Sequence, residues 1–282
     1  MVDCNSHDDV ESLRLTWWRS RLVGYAVHAY VVRGVLIDSG FPAVANEILD
    51  FVRERRIRGA IVTHAHEDHA GNAERFAASG LPLWMDTRTR HAVETGGRIG
   101  SYRHFTWAAM PRLRSAVIPF SDPSLEAVHT PGHSEDHHAV WDHDTATLFA
   151  GDLYLGVKVR VAHPHEDPRT LVTSLRAMVA RRPRRVFCAH RGFVSGGSGA
   201  LEAKADWTEA TICEIERLAR SGAAEREIRA RTLGPRGWTH WFSAGDYSPD
   251  NFVRAVLRVP ERSINDPLPR VPHAPHVPHA HR

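Results

Sequence analysis

The sequence predicts a layered α/β protein, on three observations. Short apolar runs of strand length alternate along the chain with stretches of helical period. The 282 residues are 42% hydrophobic and 24% charged, the balance of an ordinary globular protein with a core large enough to need no disulfide or structural metal. Titratable side chains also crowd just past several of the apolar runs, as in THAHEDHAG at residues 63–71.

The elements follow in order. Residues 22–41, LVGYAVHAYVVRGVLIDSGF, read as two strands with a turn at Arg33-Gly34. Pro42 opens a helix whose apolar positions Val44, Ile48, Phe51 and Val52 recur at helical spacing. A strand at 60–62 runs into THAHEDHAG, a short helix follows to Gly80, and 81–85 reads as another strand. Residues 86–120, rich in Arg with Phe105, Trp107 and Met110 among them, read equally as a lid over a pocket or as a plain helical insertion. Strand signals return at 125–129, 138–141 and 147–150, then a helix at 169–181, a strand at 185–188 and a Gly/Ser-rich loop at 192–199. Beyond it Trp207, Thr211, Ile212, Ile215, Leu218 and Ala219 form one helical stripe, with further helices expected over 224–233 and 249–257. The expected division is a catalytic domain over 1–199, a helical segment over 200–260, and a disordered Pro- and His-rich tail over 261–282.

Composition narrows the setting. The net charge of +3 is small and Arg is scattered, with no concentrated basic stripe for nucleic acid. Cys4, Cys188 and Cys213 are odd in number and widely spaced, which speaks against a disulfide framework and for a reducing, cytoplasmic location. Cys188 sits in an apolar strand and reads as a buried small hydrophobe. The N-terminus has no apolar signal core, and no stretch approaches the roughly 18 apolar residues of a membrane span. The expected partner is therefore a small-molecule substrate. The chain has no G-x-x-x-x-G-K-[ST] and no G-x-S-x-G, and a His-Glu-x-x-His zincin would need histidine where Ala70 stands.

Four apolar strands each deliver His or Asp at their C-terminal end. They lead to His64, His66, Asp68 and His69; to His133; to Asp152; and to His190. Side chains from separate strand ends converge at one edge of a sheet. Imidazole and carboxylate together suit zinc, iron or manganese. Seven groups are too many for one tetrahedral zinc and suit two ions with one carboxylate between them. His64 and His66 alternate, so extended backbone puts them on one face, while Asp68 and His69 lie past a bend.

In this order, His64-x-His66-x-Asp68-His69, Thr130-Pro131-Gly132-His133, Gly151-Asp152 and His190 resemble the metallo-β-lactamase superfamily over about residues 22–195. The resemblance implies a four-layer αββα sandwich with metals at one edge between the sheets, here with a small helical C-terminal extension. It implies that His64, His66 and His133 hold a first metal, that Asp68, His69 and His190 hold a second, and that Asp152 bridges. Asp68 and Asp152 would be the catalytic carboxylates. Asp38 matches a family aspartate that supports the ligands from behind, and His137 a recurrent structural position. Glyoxalase II, persulfide dioxygenases, lactonases and thioesterase-like hydrolases all stay open. The expected function is a dinuclear zinc-dependent hydrolase with two Zn2+ per chain, Fe or Mn being possible, in which a hydroxide shared by the ions attacks a thioester, ester or lactone carbonyl. The alternatives are a mononuclear iron persulfide dioxygenase and a non-catalytic metal-binding protein. Substrate-binding residues are not identified. Tyr154, Lys158, His163, His165, His240 and Tyr247 are candidates, and Trp238, Trp241 and Phe242 read either as a cap on an acyl pocket or as helix-docking residues. The sequence does not set the oligomeric state.

Overall fold

The computed structural model describes residues 1–97 and 99–258, so the expected Pro/His-rich tail lies outside the described residues. A first sheet has the order β1 (Val2–His7), β2 (Val10–Leu15), β3 (Val27–Val32), β4 (Val35–Ile37), β5 (Gly59–Ile61) and β6 (Leu83–Trp84). It is antiparallel from β1 to β4 and parallel from β4 to β6. Between and after these strands come α1 (Trp18–Leu22), α2 (Ala45–Glu54), α3 (Ala73–Ala78), α4 (Thr87–Thr95) and α5 (Ser101–Trp107). The second sheet contains β7 (Leu125–His129), β8 (His138–Asp142), β9 (Thr147–Phe149), β10 (Arg185–Cys188) and β11 (Gly192–Phe193), with β9 and β10 parallel and the other pairs antiparallel. α6 (Pro168–Ala180) links β9 to β10, and α7 (Gly197–Arg220), α8 (Glu225–Thr232), α9 (Trp238–Phe242) and α10 (Pro249–Arg258) complete the described chain.

The strand alternation builds the layers. Val35, Ile37 and Ile61 point inward from the first sheet and meet Val140, Phe149 and Phe187 of the second, with Tyr30 between them. Their neighbours Leu36, Ala60 and Val62 point outward and pack with Ile48, Phe51 and Phe76 of α2 and α3. On the other side Ala139, Trp141, Leu148, Val186 and Cys188 pack outward against Leu171 and Leu175 of α6 and Leu201 and Ala205 of α7. A period of two thus sends one set of side chains between the sheets and the other under helices. The result is the expected four-layer αββα sandwich. The second half of α7 carries Ile212, Ile215 and Leu218 into a separate cluster with Ile228, Phe252 and Val256 of α8 and α10.

Local chemistry sets the helix ends. The α2 face of Ile48, Phe51 and Val52 is buried, and the chain leaves the helix at Arg56 with φ +50. α6 begins at Pro168, with the Asp167 carboxylate accepting from the Arg169 and Thr170 N–H groups.

Several elements differ from expectation, beginning with α1, an unforeseen helix whose last residue, Leu22, opens the stretch read as strand. The hairpin β1–β2 has no counterpart in the reading of the N-terminus: β1 is an edge strand exposed on nearly every residue, while β2 buries Val10, Leu13 and Leu15, an apolar set interrupted by Glu11, Ser12 and Arg14. The Gly/Ser-rich stretch at 192–199 is not all loop. It holds β11 and the first turn of α7, where Gly197 takes φ +50. The aromatic stretch WTHWF is a helix, α9, with no buried residue and hence no periodic stripe to announce it. Cys188 is buried as expected, and all three cysteines are free. Among the described residues no helix is long and apolar enough to cross a membrane.

Candidate metal centre

β5 ends at Ile61, and the chain then turns tightly so that the His69 and Ala70 N–H groups both donate to His66 O, at 3.0 and 2.8 Å. This turn gathers His64, His66, Asp68 and His69 at the edge of the first sheet. The second sheet brings His133 after β7, Asp152 after β9 and His190 after β10. Two ties align the sheets at this edge: His28 N–H donates to Ala189 O at 2.6 Å, and the Tyr30 hydroxyl to Cys188 O at 2.7 Å.

All seven predicted groups come together. His64, His66, His133 and Asp152 form one set of donor atoms within 4.8 Å of one another, and Asp68, His69 and His190 form a second. Asp152 faces both. Its Oδ1 lies 3.4 Å from His69 Nε2 and 3.3 Å from His190 Nε2, and its Oδ2 lies 3.3 Å from His133 Nε2. His190 Nε2 is also 3.2 Å from Asp68 Oδ2, and His133 Nε2 is 3.0 Å from His66 Nδ1.

The far edges of the rings are held. Asp38 accepts from the Thr63 N–H at 2.8 Å, and its other oxygen lies 2.7 Å from His69 Nδ1. His190 Nδ1 lies 2.9 Å from Ala26 O. His137 is fully buried between Thr130 and Asp152. Its Nδ1 lies 3.1 Å from Thr130 O, and its Nε2 accepts the Asp152 N–H at 3.0 Å. The Nδ1–H tautomer satisfies both contacts. Asp38 and His137 thus lie behind the cluster.

The donor set fits a metal. His64 Nε2, His69 Nε2 and Asp152 Oδ1 are buried and have no hydrogen-bond partner, a costly state unless a cation completes them. Burial pushes His64 and His66 well below the ordinary histidine pKa, so both are neutral donors. Burial opposes charge on His69 and His190 as well, but Asp152, with Asp68 and (for His69) Asp38, outweighs it and raises both well above the ordinary value. Burial likewise works against the ionised forms of Asp68 and Asp152, and the same two histidines outweigh it and hold both carboxylates low. The cluster therefore stores positive charge beside its carboxylates, and a divalent cation would displace those protons.

A cavity of about 480 Å3 opens over the cluster. His66, Asp68, His133, Asp152 and His190 lie at its base. Tyr102, Arg103, Thr106 and Trp107 of α5 form one wall, so part of the ambiguous 86–120 stretch lines the pocket. Of the candidate substrate contacts, Lys158, His163 and Tyr247 line the cavity. Tyr154 is buried, and His165 stacks on His163 beside His66. His240 instead lies 2.9 Å from the Ser248 hydroxyl. Trp238 and Trp241 are exposed, and Phe242 packs against Tyr102 and Phe105.

Sequence reasoning missed three polar groups. Glu166 Oε1 lies 3.5 Å from His133 Nδ1, behind that ring. Glu67, inside the motif, is buried and pairs with Arg103 of α5. Lys204 is buried under the turn that follows Asp152. Acidic Glu67 amid the histidines was visible as an unassigned charge; nothing local marked the other two.

Fold and site together define the class, a two-sheet α/β protein with a His/Asp metal cluster at the sheet edges, which implies a metal cofactor. Residues 22–190 match the model of the metallo-β-lactamase superfamily, and the chain belongs to that superfamily, whose members are metal-dependent hydrolases. Among curated proteins it is 28% identical over 172 residues to a hydroxyacylglutathione hydrolase of Saccharophagus degradans, covering 55% of this chain and 56% of the relative. It is 27% identical over 176 residues to a β-lactamase-like protein 2 homolog of Drosophila melanogaster, covering 60% and 59%. The chain thus spans little more than half the length of these two relatives. Among solved structures, a metallo-β-lactamase family protein from Thermus thermophilus superposes with a TM-score of 0.64 at 16% identity, covering 89% of this chain and 94% of the other. That similarity concerns the fold.

Proposed function

We propose that this chain is a dinuclear zinc-dependent hydrolase acting on an ester-type carbonyl, namely a thioester, ester or lactone. The observation that carries the reading is the placement of Asp152, with one oxygen toward His69 and His190 and the other toward His133. In this reading His64, His66 and His133 hold one ion, Asp68, His69 and His190 hold the other, and Asp152 is shared. Imidazole and carboxylate donors of this kind suit zinc, with iron or manganese as the other candidates. When bound, two such cations would supply a water with a pKa of about 7 and a positive charge against the developing oxyanion.

The chain's own residues do the rest. Asp38, Glu166 and the Ala26 carbonyl orient the rings of His69, His133 and His190 from behind. Asp68, at the cavity base, would accept or pass the proton of the attacking water. Tyr25, Trp107 and Tyr247 line the cavity with aromatic surface and exclude bulk water around an acyl group. Relatives named hydroxyacylglutathione hydrolase support an acyl substrate. The complete second set, Asp68, His69 and His190, favours two ions over a mononuclear iron dioxygenase.

The test is a hydrolysis panel on zinc-reconstituted protein holding an acyl thioester, a lactone, a β-lactam and a phosphodiester, with Asp68→Asn beside it. Turnover of a thioester or lactone, abolished in the variant, is expected. Full activity in Asp68→Asn, or one bound iron with persulfide oxidation and no hydrolysis, would overturn the reading.

A further inference from the structure

The metal reading leaves one buried cation without a role. Lys204 of α7 is 2% exposed and forms no ion pair among the described residues. Its ammonium donates to Leu153 O at 2.8 Å and also to Tyr154 O. These are the two carbonyls directly after Asp152. The next carbonyl, Leu155 O, accepts from Arg191 Nε at 3.1 Å. Two cationic side chains therefore hold three successive carbonyls of one turn.

That turn needs holding. Leu155 takes φ +52 and Gly156 φ +131, both left-handed, and a left-handed leucine persists only where its surroundings impose it. On the other side of Asp152 the chain is equally constrained. Gly151 takes φ +50, and a Cβ there would meet His137 Nε2 at 2.7 Å, the same atom that accepts the Asp152 N–H. Asp152 is thus gripped before and after, by His137 and by Lys204. A leucine or methionine would fill the Lys204 position without desolvating an ammonium, so the lysine is explained by the two carbonyls it satisfies.

The geometry points to Lys204 as a positioning residue for Asp152: by holding Leu153 O and Tyr154 O it sets the turn that aims the Asp152 carboxylate between the two ion positions. This inference rests on Asp152 being the shared ligand. A purely structural lysine would affect folding and leave the metal site alone, so the readout must be the site itself.

The full chain would be titrated with zinc against a chromophoric chelator, and its Co2+ form followed by visible absorption, for wild type, Lys204→Met, Lys204→Arg and Asp152→Asn. Circular dichroism would establish that each is folded. Lys204→Met is expected to weaken the second equivalent of zinc by about 10-fold or more and to shift the Co2+ bands, in the range found when groups behind metal ligands are removed. Lys204→Arg, which keeps a cationic side chain with several N–H donors, is expected to restore both. Should Lys204→Met not fold, Lys204→Gln is read in the same way. Wild-type affinity and an unchanged spectrum in Lys204→Met, with Asp152→Asn losing an equivalent, would overturn the inference alone. An Asp152→Asn protein that still binds as wild type would overturn the metal assignment beneath it.

Discussion

Asp38 carries several constraints at once. It takes φ +66, its backbone N–H donates to Ile61 O at 2.9 Å, and its carboxylate is divided between the Thr63 N–H and His69 Nδ1. A non-glycine residue in the left-handed region is a local cost kept where the surrounding structure uses it. Here the use is to keep His69 Nε2 facing Asp152 and Asp68. In Asp38→Asn an amide nitrogen would face the Nδ1–H and favour the wrong tautomer. The expected outcome is a 10- to 100-fold loss of zinc affinity in a competition titration; an unchanged constant would show that Asp38 only anchors the turn. Asp38 was singled out only through the family resemblance, which VLIDSG carries at that position. Glu166, which stands behind His133, follows no strand and lies far along the chain, so no local pattern joined the two.

α5 meets the C-terminal segment across the cavity mouth. The Tyr102 hydroxyl donates to Asp246 Oδ2 at 2.8 Å, and His163 Nδ1 lies 3.3 Å from the same oxygen. The His163 contact is the main cause that lowers the Asp246 pKa to about 2, partial burial opposing it and Tyr102 assisting. A folded value below the ordinary 3.8 means that the contribution to stability is fully present above about pH 4 and is lost as the pH falls through about 2. Asp246 is 39% exposed, so solvent screening keeps the effect to under about 1 kcal/mol. Metal-free Asp246→Asn should therefore lose less stability than wild type between about pH 4 and pH 2 in urea unfolding, and parallel curves would contradict it. Most elements were readable from their apolar residues: strands β3, β4, β5, β8, β9 and β10 and helices α2, α6, α7 and α10 each bury several side chains, while β7 and α8 bury only Leu125 and Ile228. β1 and α9 carry none and were not foreseen; β2 buries Val10, Leu13 and Leu15 and was missed all the same.

The cluster is assembled by the whole sandwich. His64, His66, Asp68 and His69 hang from the first sheet, and His133, Asp152 and His190 from the second. An ion bound between them ties the sheets together and cannot be held by the unfolded chain in the same way. Zinc at about 100 times its dissociation constant should stabilise the fold by ~2.7 kcal/mol for each ion bound. For a chain of this size that corresponds to a melting temperature higher by about 5–10 °C. Thermal unfolding with zinc and with a chelator measures it; equal midpoints would mean that the folded cluster does not bind zinc in preference to the unfolded chain.

The sequence by itself determined the α/β class, the order of most elements and the seven groups of the cluster. These depend on local burial patterns and on residues placed just past buried strands, and both are written in consecutive positions. Only the tertiary structure decided which polar groups answer one another: Glu67 with Arg103, Glu166 with His133, and Lys204 with the turn after Asp152. It also made α5 a wall of the cavity and left Trp238 and Trp241 in solvent. Burial leaves a periodic signature along the chain. A hydrogen bond between distant residues leaves none, because it exists only once the faces that carry its two partners have been packed together.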